Sequence, residues 1–201
     1  MLPPNQFVRC RFYAPIGVSG VHLRDESVVG QWKLPSRKFY GVGGKTLAER
    51  VANLPRETKN VLSFTERYGP LSGNPLDGGQ FSFTVESWWR NQMLFQRNWL
   101  SGQVNPTTLL LPDGNTTIEF RDRWLQLGCP DLWTFMTLEL LSRPERLRVC
   151  ERPSCAHPYF IANHGKERYC TTDCANWAQS KWKKRWHAEQ RQKEPKKGRQ
   201  A

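Results

Sequence analysis

Residues 147–177 read LRVCERPSCAHPYFIANHGKERYCTTDCANW, and the four cysteines in this stretch decide the architecture of the C-terminal part of the chain. Cys150 and Cys155 have four residues between them, Cys170 and Cys174 have three, and fourteen residues separate the two pairs. Two close pairs joined by a short arm can bring four thiolates to one tetrahedral ion. Gaps of about two to four residues within a pair are usual for structural zinc. Thiolates are soft donors, which suits this metal. Four sulfurs close the coordination sphere and leave no position for water, so the expectation is one structural Zn²⁺ with no chemistry at the metal. Two alternatives stay open. His157 or His164, both in the arm, can replace a cysteine ligand, or the four thiols are free or redox-active without metal. Cys10 and Cys129 have no close partner and read as small core residues.

The second pair also predicts the structure beyond it. Residues four apart lie on one side of a helix's first turn, and Thr171, Thr172 and Asp173 are good residues to cap and open a helix. The segment therefore reads as knuckle, hairpin and helix. At about 100° per residue, Ala175, Ala178, Trp182, Trp186 and Glu189 share one face. That face is expected to pack on the zinc hairpin or the main domain. Trp177, Lys181, Lys184 and Arg191 gather on the opposite face with Ala188, and Arg185 lies at its margin. An aromatic ring beside a row of cations suits phosphate contacts, and a helix has the width of the major groove. Trp177, Lys181, Lys184, Arg185 and Arg191 are thus the candidate nucleic-acid residues. The plain alternative is a charged, solvated helix face.

Charge distribution points the same way. The chain of 201 residues carries a net +12. From Arg143 onward there are 15 Lys/Arg against 6 Asp/Glu, so most of the excess sits on less than a third of the length. A concentrated positive field favours polyanions, nucleic acid before an anionic membrane. With 38% hydrophobic residues and nine tryptophans the chain can fill a packed core, which excludes wholesale disorder. No stretch approaches the ~18 apolar residues of a membrane helix, and the N-terminal residues lack a signal-like apolar run. The expectation is a cytoplasmic protein without a membrane partner, in a reducing compartment where clustered cysteines bind metal.

Upstream, residues 1–44 suggest short strands at Gln6–Tyr13 and Ser19–Leu23, with a glycine break at Gly41–Gly44. From Thr46 the period turns helical, with Leu47, Val51, Leu54, Val61, Leu62, Phe64 and Tyr68 recurring and Pro55 interrupting. Gly69-Pro70 ends the run, and Ser72 to Gly79 reads as a loop. A second helix is expected from Val85 to Leu100, with Trp88, Met93, Leu94 and Trp99 inward. A β-hairpin is expected around a Pro112–Asn115 turn, flanked by Leu109–Leu111 and by Thr117, Ile118 and Phe120. A third helix should span Asp131 to Leu141, burying Leu132, Phe135, Met136, Leu138 and Leu141. The fold class is α+β. A mostly helical N-terminal domain with a β-hairpin (1–145) precedes a four-cysteine zinc finger with a basic helix (146–190), and a disordered basic tail (191–201) ends the chain.

Leu147-Arg148-x-Cys150-x4-Cys155-x4-Phe160, then Arg168-Tyr169-Cys170-x3-Cys174-Ala175-Asn176-Trp177 and a Lys/Arg-rich helix, resembles the CGNR-type zinc finger. That family is a bacterial group of stress-linked transcription regulators with a helical N-terminal domain. Arg67-Tyr68-Gly69-Pro70-Leu71 is similar to the N-terminal part of such proteins. The resemblance implies zinc on the four cysteines, Phe160 packed beneath the metal, and DNA binding through the finger and its helix. The family's Cys-Gly-Asn-Arg reads here Cys174-Ala175-Asn176-Trp177. A ring that stacks or packs thus replaces a bidentate phosphate donor.

Catalysis finds little footing. Gly43-Gly44-Lys45-Thr46 ends like a P-loop, but the first glycine of that pattern would fall on Phe39. His22 stands alone, and no nucleophile–base set can be assembled. A DNA-binding regulator whose N-terminal domain senses a small molecule or protein is the first reading, and the chain is expected not to be an enzyme. A zinc-clasped protein-interaction module anchored by Trp177 is the second, and an enzyme with an unrecognised N-terminal site the third.

Overall fold

The computed structural model describes residues 9–39, 45–72, 79–101, 117–121 and 124–193. The N-terminal region builds a five-stranded sheet from β1 (Arg9–Arg24), β2 (Ser27–Phe39), β3 (Gln80–Thr84), β4 (Thr117–Arg121) and β5 (Trp124–Gly128), in the order β3-β2-β1-β5-β4. Neighbours pair antiparallel except β1 and β5, which run parallel through Arg9–Tyr13 and Trp124–Gly128. Among the described residues four helices pack with it: α1 (Leu47–Ala52), α2 (Thr58–Tyr68), α3 (Val85–Ser101) and α4 (Leu132–Leu141). The C-terminal part adds a two-stranded ribbon, β6 (Leu147–Val149) with β7 (Tyr159–Ile161), and α5 (Thr172–Lys193).

The α+β class holds, but the N-terminal region is not mostly helical. In place of two short runs, β1 is a single strand of 16 residues. Its glycines explain the difference. Gly17 and Gly20 have φ of 137° and 62°, and the register with β2 slips between Ile16 and Val18 and between Ser19 and His22. Glycine at a bulge bends a strand without ending it. Asp25 and Glu26, both at positive φ, make the two-residue turn into β2. The expected hairpin is described only in part. Its turn at Pro112–Asn115 and its first arm lie outside the described residues, as does Gly41–Gly44. Thr117, Ile118 and Phe120 do form a strand, but the described partner is β5, on its C-terminal side.

The helices follow their sequence signals closely. Thr46 and Glu49 form a reciprocal capping box at the start of α1. Asp131 caps α4 by accepting from the Thr134 N–H at 2.8 Å. Gly69, at φ 98°, ends α2 with its Cα against the Trp32 ring. On α3 the buried stripe is Trp88, Gln92, Phe95 and Trp99 with Asn98, whereas Met93 is 37% exposed and Leu94 half-buried, which corrects the inward set. Gln92 belongs there because its Nε2 donates to the Val51 and Leu54 carbonyls, as Gln96 does to Ala52. Together they satisfy the C-terminal carbonyls of α1. On α4, Leu132, Phe135 and Met136 are buried as expected, while Leu138 and Leu141 are only half-buried. Cys129 is buried and the side chain of Cys10 lies outside the described residues. Among the described residues no helix is long and apolar enough to cross a membrane.

Candidate metal centre

The ribbon is anchored before the metal ligands are placed. Leu147 is buried in the main core, with Val149, Tyr159 and Ile161 packed against it. β7 uses one edge to pair with β6, and its other edge bonds to side chains of the body. The Asn53 amide donates to the Tyr159 carbonyl at 2.6 Å and accepts from its N–H at 3.0 Å. Glu49 accepts from the Ile161 N–H at 2.8 Å, and the Trp99 indole donates to the Phe160 carbonyl at 3.0 Å. A strand of three residues thus has its free edge satisfied by Glu49 of α1 and by Asn53 just after it, while Trp99 of α3 adds a donor to the Phe160 carbonyl.

On this platform the arm folds back. Arg146 donates to the Asn163 carbonyl and Arg148 to that of Gly165. The Glu151 N–H donates to the Arg168 carbonyl, and the side chains of the same two residues form an ion pair at 3.7 Å. These contacts bring the second cysteine pair beside the first. The Thr171 hydroxyl accepts from the Cys174 N–H at 3.3 Å, the cap expected for the helix that opens there.

The Sγ atoms of Cys150, Cys155, Cys170 and Cys174 all lie within 4.8 Å of one another. Cys155 and Cys170 are 3.4 Å apart, Cys170 and Cys174 3.8 Å, and Cys174 and Cys155 3.9 Å. Zinc–sulfur bonds of about 2.3 Å in a tetrahedron give sulfur–sulfur edges of roughly 3.8 Å, so the cluster has the size of a filled cage. A disulfide, at about 2.05 Å, is excluded at these separations, and all four thiols are free. His157 and His164 fall outside the cluster, so neither replaces a sulfur. Phe160 is buried with Cys150, Cys174 and Ala162 in a small core of their own, which places its ring against the sulfur cage.

Without a cation the thiols are unevenly disposed to ionise. Burial, and then the neighbouring thiols, push Cys170 far up, and burial also raises Cys155. Cys174 is drawn down to about 7, first by hydrogen bonding with Thr171, then by Cys170 and Arg152. A divalent ion would remove this conflict by holding all four as thiolates. Arg152, which sequence reasoning does not single out, is the cation facing the cluster. Its Nη1 lies 3.9 Å from the Cys174 sulfur, and its guanidinium sits 5.9 Å from the centre of the Trp177 ring. Four thiolates around a dication carry a net double negative charge, and a cation inside a Cys-x4-Cys loop is the signal that could have revealed its role.

The helix departs from expectation. Trp182 and Trp186, on the face expected to pack, are 65% and 45% exposed. Trp177 is the half-buried one, with Arg152 on its ring and the Lys181 ammonium 6.0 Å from its centre. From Gln179 to Gln192 every residue of α5 is exposed. The reason is reach. The helix has 22 residues, about 33 Å at 1.5 Å each, and the knuckle that seats its first turns is much shorter. Lys181, Lys184 and Arg191 remain on the exposed cationic face, while Arg185 pairs with Glu189 at 2.9 Å on the tryptophan side. The helix also runs through Arg191 to Lys193, beyond the expected start of the tail, and residues 194–201 lie outside the described residues.

Fold and cluster together define a four-cysteine group of a size to hold one metal ion, built onto a mixed sheet-and-helix body. The chain matches no protein-family model, no curated protein and no solved structure, so the likeness to CGNR-type fingers rests on the residues quoted above.

Proposed function

We propose that the protein holds one structural zinc ion on Cys150, Cys155, Cys170 and Cys174 and binds DNA with the helix this ion seats, acting as a transcription regulator of CGNR type. One observation supports this above all others: a cationic helix leaves the cage and is exposed from Gln179 to Gln192, about two-thirds of its length. A helix seated at one end and solvated at the other can enter a groove without unpacking anything. Lys181, Lys184 and Arg191 supply sequence-independent attraction to phosphates. The protein acts by binding, and the metal contributes structure. The solvent face of β1–β3 bears Ser19, His22, Gln31, Gln80 and Ser82 around an open cleft of about 720 Å³, which we assign to the sensed small molecule or peptide. The protein-interaction reading loses its anchor, since Trp177 is half-buried under two cations.

Elemental analysis and a salt titration on one preparation test both halves. Natively purified protein should carry one equivalent of zinc, and less than about half would remove the metal from the account. Log affinity for random duplex should fall linearly with log salt. Replacing Lys181, Lys184 and Arg191 together by alanine should flatten the slope by about 2–3, at roughly 0.9 for each phosphate no longer neutralised. Unchanged affinity in that variant would take α5 off the DNA.

A further inference from the structure

Trp182 and Trp186 stand one turn apart on α5, with their rings in solvent. Between them lies a cleft of about 230 Å³, lined among the described residues by these two tryptophans, Arg185 and Glu189. We infer that this cleft takes one unpaired nucleic-acid base, guanine above the others, so that the helix contacts single-stranded or locally opened nucleic acid through this face.

Four features of the cleft carry the inference. Four residues of helix rise about 6 Å, and a base stacked between two rings at about 3.4 Å per layer needs about 7 Å, a gap that solvated side chains reach by a small rotation. The walls are indoles, and base-on-aromatic stacking is the main attraction of single-strand binders. The remaining lining is an ion pair, Arg185 Nε to Glu189 Oε1 at 2.9 Å. An arginine donor beside a carboxylate acceptor complements the Watson–Crick edge of guanine, where O6 accepts beside the N1 and N2 donors. That edge is free only when the base is unpaired. Finally, Lys183 is exposed on the same helix beside the tryptophan stripe, and a phosphate flanking a stacked base would meet it.

Other occupants fit less well. Two partly exposed indoles bury far less than the roughly 1,200 Å² of a stable dimer, and two such cationic helices would repel each other. The stripe holds no exposed aliphatic residue that would sink it into a bilayer. The inference rests on α5 being the nucleic-acid contact but concerns its opposite face.

The test uses the zinc-loaded full chain and five probes: a guanine-rich single strand, as DNA and as RNA; a cytosine-rich strand and an abasic strand of equal length; a duplex; and phosphatidylserine vesicles. The strand with bases should bind more tightly than the abasic backbone and quench tryptophan fluorescence. Trp182→Ala and Trp186→Ala should each weaken it by about tenfold, as expected when one stacking ring is removed, while duplex and abasic binding hold. Glu189→Gln should lower the preference for guanine over cytosine without changing abasic binding. Equal affinity for abasic and normal strands, or a loss in the tryptophan variants confined to vesicles, would overturn the inference. If abasic strand and duplex still bind, only this inference falls. If no polyanion binds at all, the DNA reading falls with it. Both tryptophans are solvent-exposed, and retained zinc content serves as the check that the variants fold.

Discussion

Helices α3 and α5 each carry three tryptophans at spacings that put two on a common face, yet they meet opposite fates. On α3, Trp88 and Trp99 are 1% and 3% exposed, and Phe95 between them meets the Trp133 ring edge-on at 4.6 Å. On α5, Trp182 and Trp186 are 65% and 45% exposed, and the Trp186 ring meets that of the adjacent His187. Periodicity tells which residues share a face. Whether that face has anything to meet depends on the elements the chain delivers beside it. α3 has α1, α2 and the ribbon around it, and α5 outruns the small knuckle that seats it.

The sharpest way to break the contrast is to truncate one ring on each helix. Trp88→Ala should cost about 3–5 kcal/mol, because its indole also supports Phe64 at 5.7 Å and Trp89 at 5.1 Å. Trp182→Ala should stay within about 0.5 kcal/mol. Urea unfolding of both variants with zinc present measures the pair. A loss beyond about 1 kcal/mol at Trp182, outside the surface range of about 0.5, would mean that α5 packs on something in solution.

A smaller separation between body and finger comes from pH. Glu139 is half-buried on α4 and accepts from the Ala48 N–H at 3.0 Å. Burial, with the nearby Glu49 charge adding to it, raises its carboxyl from 4.5 to about 7. Between these values the folded form holds a proton that the unfolded chain has released. The stabilisation is therefore complete below about 4.5 and declines as pH rises toward 7, by about 3 kcal/mol in all. Glu139→Gln stays neutral and keeps an oxygen for Ala48, so it should abolish the decline. Unfolding from about pH 5.5 to 8 in excess zinc, which keeps the thiolates loaded, measures it. A variant as pH-dependent as the parent would sink the assignment.

The legible part of the sequence is local. Thr46 and Asp131 cap the helices that open at their positions, α3 begins at Val85 as its period requires, and the four cysteines converge. The hidden part is non-local. β1 pairs parallel with β5 across more than a hundred residues, and no pattern within either strand announces the other. Gly17, between the two expected short runs, and Gly20, within the second, sit at bulges inside β1. Arg152 and the two exposed tryptophans escape a linear reading for a related reason, since their roles depend on the groups that lie across a gap in the chain.

The least of the expected effects probes the join between the two regions. Asn53 makes the only side-chain clamp among the described residues that satisfies both backbone groups of one β7 residue, Tyr159. Asn53→Ala leaves that N–H and carbonyl unpaired in a half-buried interface, which should cost about 1–3 kcal/mol. The place where the cost appears distinguishes two architectures. If the ribbon must dock before the second cysteine pair can close, the same free energy reappears as weaker zinc binding, by roughly five- to a hundredfold in a chelator competition. If zinc affinity is unchanged while the body loses stability, the finger closes by itself, and α3 and α5 belong to two units that merely touch. The shared core of Leu147, Val149, Tyr159 and Ile161 argues for the first outcome, because the strands that present Cys150 to the metal are themselves part of the body's interior.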